Sequence, residues 1–328
     1  MHIPDGFLDA KTCLTAGALS VGGLAVAVRH VNRTLPRNKI PLMGLSAAFV
    51  FAAQMLNFPV AGGTSGHLLG GVLASVLLGP GAAAIVIACV LIVQALLFND
   101  GGLVALGANI FNMALVGAVG GWAIYAGVRH FLNGLRGRVT AIFFAAWCST
   151  VLAALVCAGE LTFSGTLPAH IVFPTMAGVH ALIGLGEGLI TALVILAIAR
   201  VRPDLLESEA DPTAGRAGWE FIVLGLIVVA GLAIFVSPYA CAWPDGLDRV
   251  AERFGFAGRA AVTVKAWFPD YKLPGFSSAA LATGLAGLLG ALLMFALACV
   301  VGRVLVKKPA VPVPTAAQTT PSVAAPKE

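Results

Sequence analysis

Nine apolar runs divide the chain: residues 12–28, 40–57, 66–79, 82–98, 103–127, 139–158, 175–199, 219–237 and 279–301. Several approach the ~20 residues that carry an α-helix across a bilayer. The third is shorter, running from Gly66-His67 to Gly79-Pro80-Gly81. A short apolar piece bounded by glycine has the form of a discontinuous or re-entrant helix, of the kind that builds binding sites in transporters. A tight, glycine-packed ordinary span fits the same residues. No ~10-residue segments of alternating hydrophobicity occur, which excludes a β-barrel. The pattern predicts an all-α polytopic membrane protein, a seven-span helical bundle followed by a two-span C-terminal unit.

Charge orders these runs. Basic clusters follow the first run (Arg29, Arg33, Arg37, Lys39), the fifth (Arg129, Arg136, Arg138), the seventh (Arg200, Arg202) and the ninth (Arg303, Lys307, Lys308). With nine spans all of them fall on one side, which places the N-terminus outside and the C-terminus in the cytoplasm of a bacterial inner membrane. Shifting the count by one scatters them. Residues 1–200 then form the first unit. The stretch 201–218, within "RVRPDLLESEADPTAGRAG", reads as a cytoplasmic linker, and 219–308 form the second unit with an outer loop at 238–277. Inside that loop Asp245 is positioned to cap a short helix through Arg253. The Pro-, Ala- and Thr-rich stretch 309–328 reads as a disordered tail.

Of the 328 residues 59% are hydrophobic and 11% charged, against about 25% charged in soluble domains, so a soluble domain is excluded. The net charge of +5 is accounted for by the helix-end clusters. Membrane lipid is the expected surrounding, and no nucleic-acid partner is expected. Six cysteines include no CxxC pair, and five lie in or beside apolar runs, so no disulfide framework is expected. Small residues at Gly44/Ala48/Ala52 and Gly17/Val21/Ala25 allow close helix approach, to partner helices or within the bundle.

The chain opens "MHIPDGF". Lacking a basic n-region, and with Pro4, Asp5 and Gly6 ahead of the first apolar run, it does not read as a removable signal peptide. The bulky His2 hinders removal of the initiator, so the Met1 amine is expected to be free. An α-amine, the His2 amide nitrogen and His2 Nδ1 can chelate one ion through a five- and a six-membered ring, nearly in a plane. His67, in the glycine-rich "GGTSGHLLGG", can complete a square of nitrogens. Square-planar nitrogen suits Ni(II) or Cu(II), whereas Zn(II) prefers a tetrahedron. Met1, His2 and His67 are therefore candidate metal ligands. "PDG" favours a turn that bends the peptide inward. Asp5 either closes that turn or accepts a bond from an imidazole N–H beside the ion.

Polar groups are costly in hydrocarbon, and Gln54, Asn57, Gln94, Asn109 and Asn112 all fall near the outer ends of their runs. Asn109 and Asn112, three apart, share a helix face. Gln54, Gln94, Asn109 and Asn112 are candidates for a layer around the ligands, or for hydrogen bonds between helices worth about 1 kcal/mol each. His180 and Glu187, seven apart, could relay protons or form a structural pair, and Glu160 and His170 flank an outer loop where they could guide cations. No GxxxxGK[ST] loop is present, nor HExxH or GxSxG, so neither ATP hydrolysis nor those catalytic classes is expected.

"MHIPDGFL", "GGTSGHLLGG", "QALLFNDGGLVALGANIFNMALVG" and "GEGLITALV" resemble the substrate-capture component of cobalt/nickel energy-coupling-factor transporters over about residues 1–200. "WPDGLD" and the following "FPDY…PGF" resemble the small two-span companion subunit of those systems, with Asp248 where the usual motif ends in Glu. The resemblance implies a fusion of the two and a transported Ni(II) or Co(II) bound by Met1, His2 and His67. It implies no prosthetic group, a transmembrane coupling subunit and two cytoplasmic ATPase subunits as partners, and no enzyme activity in this chain. The alternatives are a proton-coupled secondary transporter using His180 and Glu187, and a metal-sensing receptor.

Overall fold

A computed structural model describes residues 1–206 and 218–306. The expected disordered tail, and all of the expected linker except 201–206 and 218, lie outside the described residues. Helices α1 (Ala10–Thr34) and α2 (Ile40–Gln54) are followed by a hairpin of β1 (Phe58–Val60) and β2 (Thr64–Gly66) and then by the short α3 (Gly71–Leu78). Four long helices come next, α4 (Pro80–Phe98), α5 (Leu106–Phe131), α6 (Gly134–Phe163) and α7 (Ala169–Val201). The second unit comprises α8 (Trp219–Tyr239), α9 (Gly246–Arg253) and α10 (Ala279–Leu305). Seven of these helices (α1, α4–α8 and α10) are long and apolar enough to cross a membrane. The protein is an all-α polytopic membrane protein.

The bundle has a basic end and an amine end. At the basic end the Lys39 ammonium donates to Leu77 O (3.4 Å), Arg37 to Val306 O (3.3 Å) and Arg138 to Leu206 O (3.2 Å), and Gly81 lies against His30. At the other end lie Met1, the hairpin, the 99–105 loop and the loop before α9.

The third run is discontinuous and still traverses the bundle. It starts beside Met1 at His67 and reaches the basic end at Leu77. The eight helical residues supply about 12 Å, and the irregular residues 67–70 lead into them from the amine end. An irregular backbone in hydrocarbon needs partners from elsewhere. Gln54 Nε2 donates to Leu69 O (2.9 Å), and the Glu187 carboxylate accepts from Leu69 N (2.5 Å) and Gly70 N (3.0 Å). Gly70 adopts φ +76° with Val50 pressed against it, a conformation that suits only glycine.

The small-residue face of α2 is consumed inside the molecule, with Ala48 and Ala52 fully buried, whereas Val21 and Ala25 on α1 stay exposed. Gly44 on α2 meets Phe295 and Cys299 of α10, Gly225 of α8 rests on Leu45, and Gly107 of α5 lies against Gly17 of α1. The second unit is thereby sealed to α2 by close contacts that a Cβ would obstruct.

Candidate metal centre

The N-terminal peptide is threaded into the bundle by hydrogen bonds to its main chain. Ile3 N donates to Asn109 Oδ1 (2.7 Å), and Ile3 O accepts from Asn109 Nδ2 (3.1 Å) and Gly102 N (2.8 Å). Asp5 accepts from Leu103 N, Val104 N and Ala105 N at 2.8–3.1 Å, and from the Thr263 hydroxyl. It therefore fixes the approach to α5, and its hydrogen bonds go to these amides and this hydroxyl. Gly6, at φ +92°, lets the peptide pass Arg259 O, and Ala261 N donates to Asp5 O (2.9 Å).

This threading buries Met1 and His2 beside His67 (4%, 7% and 7% exposed). His67 Nδ1 donates to Leu68 O (3.0 Å), which leaves the Nε2 lone pair facing the Met1 amine at 2.9 Å. That separation is an N–H···N hydrogen bond from the amine to the ring nitrogen. The His2 and His67 ring centroids are 5.1 Å apart. His2 Nδ1 donates to Asp100 Oδ1, while Asp100 Oδ2 accepts from the Tyr271 hydroxyl (2.6 Å). The His2 ring thus turns Nδ1 towards Asp100, and its Nε2 is buried without a hydrogen-bond partner.

The motif Pro244-Asp245-Gly246 of the second unit closes the site. Pro244 O accepts from Ser65 N (2.9 Å), and Gly246 sits against His180 and Ile183, where a Cβ would fall 2.8 Å from both side chains. Asp245 caps α9 as expected, its Oδ1 accepting from Leu247 N and Asp248 N. Its Oδ2 accepts from the Met1 ammonium at 2.5 Å and lies 3.9 Å from His67 Nε2. A cavity of about 680 Å³, lined by His2, His67, Asp100, Asp245 and Asp248 among others, leads to this corner.

Electrostatics divides the cluster. Burial disfavours the Met1 ammonium, but the Asp245 charge and hydrogen bond overcome it and raise its pKa above the ordinary α-amine value. With Nδ1 donating to Leu68 O and the Nε2 lone pair turned to the amine, His67 is neutral, and its approach to Asp245 is not an ion pair. Burial alone would raise both carboxyls. His2 and the Tyr271 hydroxyl bring Asp100 down to about 2, and the charge and hydrogen bond of the Met1 ammonium hold Asp245 below the usual carboxylate range.

The other residues singled out in the sequence disperse. Gln54 serves Leu69, and Gln94 is buried with neither amide atom hydrogen-bonded. Asn112 donates to Glu160 Oε2 (2.6 Å), so Glu160 is a buried partner and does not guide cations. Only Asn109 holds the N-terminal peptide. His180 Nδ1 donates to Met176 O (2.9 Å) and is not bonded to Glu187. Asp100 was missed, and the reach of Asp245 to Met1 was missed with it. The one hint was an acidic residue in each of the loop motifs "FND" and "PDGLD". Among the described residues no three His, Cys, Asp or Glu side chains converge at metal-ligand spacing. The nitrogens that do converge include those of the main chain.

The family model for the cobalt uptake substrate-specific transmembrane region matches residues 2–205. The chain belongs to this family. As a cobalt-uptake family member it also carries a PDGLE domain, matched at residues 219–307. It is 39% identical over 305 residues to a putative fused nickel transport protein NikMN of Archaeoglobus fulgidus, covering 90% of this chain and 96% of that one. A fused nickel transport protein NikMN of Rhodobacter capsulatus is 35% identical, covering 90% and 95%. The crystal structure of a truncated transition metal transporter superposes with a TM-score of 0.56 at 35% identity, over 61% of this chain and 99% of that one.

Proposed function

We propose that this chain is the metal-capturing component of an importer of Ni(II) or Co(II). The Met1 amine, the amide and ring nitrogens of His2, and His67 Nε2 would hold the ion in one plane. The burial of the Met1 amine and the His2 and His67 rings in one corner carries this reading. Without the ion, Asp245 holds the amine as an ammonium and Asp100 holds His2 Nδ1. Capture replaces the ammonium proton with the metal and turns His2 Nδ1 away from Asp100. Planar nitrogen coordination favours nickel, as do the names of relatives that share the two-unit organisation.

The chain contains no nucleotide-binding loop. Import then draws its energy from a transmembrane coupling subunit and two cytoplasmic ATPases. The amine end faces outward and the basic end the cytoplasm of the bacterial inner membrane. A proton-coupled mechanism through Glu187 gains no support, because that carboxylate is occupied by the Leu69 and Gly70 amides.

Titration calorimetry with Ni(II) tests the capture reading on protein with an authentic Met1, with one residue added ahead of it, and with His67→Ala. Groups one layer outside a metal are worth 10–100-fold in affinity, so losing a ligand should cost more than about 100-fold. Equal affinity in the extended protein would refute it.

A further inference from the structure

We propose that Asp245 makes the two-span unit part of the capture site: its carboxylate positions the Met1 amine for the ion. The inference rests on the capture reading above.

Three observations carry it. The carboxylate is held before it meets the amine, since the amides of Leu247 and Asp248 at the start of α9 take Oδ1 and leave Oδ2 for Met1. The segment bearing it is tied to the strand that ends beside His67. Ser65 N donates to Pro244 O (2.9 Å) and Ser65 Oγ to Trp243 O (2.7 Å), two residues ahead of the imidazole. Asp245 and His67 are thus set in one frame. Finally, the last main-chain anchor of the N-terminal peptide is Ile3, clamped by Asn109 and Gly102. Between Ile3 and the amine the backbone torsions of Met1 and His2 remain to be fixed. The 2.5 Å contact to Asp245 fixes their far end.

The contact is compatible with a loaded site. A coordinated primary amine keeps two N–H groups, and one of them can still donate to Oδ2. Such a bond orients the ligand and strengthens it as a donor, as carboxylates do for metal-bound imidazoles. Asp245 acts through the amine and is not itself a ligand.

The test compares full-length wild type, Asp245→Ser and Asp245→Asn, each with an authentic N-terminus. Ni(II) affinity and the energy of the Ni(II) ligand-field absorption band are both measured. Ser and Asn cap helices about as well as Asp, so α9 is retained in both variants. Ser is too short to reach the amine, whereas Asn reaches it with a neutral oxygen. Asp245→Ser should weaken binding about 10–100-fold and Asp245→Asn less. The band should move to lower energy from Asp to Asn to Ser. If Asp245→Ser does not fold, the Asp245→Asn band shift decides. Unchanged affinity and an unmoved band overturn the proposal, and so does weaker binding with an unmoved band, which marks Asp245 as a helix cap only. Wild-type binding that survives a one-residue N-terminal extension instead sinks the capture reading itself.

Discussion

The third crossing and the long helices solve the same problem in different ways. A helix such as α7 satisfies its own backbone, so its side chains are free to face lipid or neighbours. The third crossing is irregular at residues 67–70 and cannot do so. Its amides and carbonyl are satisfied by Gln54 from α2 and Glu187 from α7. In return it presents His67, one nitrogen held by Leu68 O and the other exposed to the Met1 amine. The N-terminal peptide repeats the arrangement, with Asn109 and Gly102 holding Ile3. Irregular backbone occurs where the candidate ligands are, and the polar side chains nearby serve the backbone more than the metal.

The sharpest way to break this contrast is Glu187→Leu. It leaves two buried N–H groups unpaired at about 1–3 kcal/mol each, so a loss of about 2–6 kcal/mol is expected. Glu187→Gln, which retains one accepting oxygen, should lose roughly half of that. Thermal unfolding in detergent measures both. An unchanged midpoint in Glu187→Leu would mean that the irregular segment is held by something other than this carboxylate.

The next effect lies at the tip of the other irregular segment. The Met1 pKa is raised by Asp245, so at pH 6–8 the amine is an ammonium and the ion must displace its proton. His67, whose Nε2 already offers its lone pair to the amine, is neutral and releases none. Affinity should therefore fall on acidification by about tenfold per pH unit for the amine, or about 100-fold from pH 8 to pH 6. A second proton adds to the slope where the His2 amide is deprotonated on binding. Calorimetry across that range gives the slope, and a flat profile would exclude the amine as a ligand.

The contrast also explains what could be read from the sequence. Apolar runs and basic clusters marked the long helices, because those depend on composition along one segment. The shortness and glycine boundaries of residues 66–79 marked an irregular crossing for the same reason, and the sequence placed Asp245 at the start of a helix because capping is local. The roles of Gln54 and Glu187 were out of reach. Each depends on which foreign backbone lies opposite, and Glu187 meets a residue 118 positions away. The same holds for Asp245, which meets the amine across 244 positions. Polar side chains at one depth suggested a layer around the ligands or bonds between helices, and which backbone atoms they serve was not legible.

The smallest expected effect uses α7 as its own control. Thr191 lies one turn beyond Glu187 and is equally buried, yet its hydroxyl oxygen has no hydrogen-bond partner among the described residues. If burial of a polar group at this depth were itself the source of stability, Thr191→Val would cost as much as a change at Glu187. If the partner backbone is what matters, Val fills the same volume, removes an unpaired group and leaves no amide stranded. Stability should then change by less than about 0.5 kcal/mol, or rise slightly. Equal losses at 187 and 191 would dissolve the distinction between the irregular crossing and the helices around it. A loss confined to 187 would assign the stabilisation to the two amides that a regular helix would have satisfied for itself.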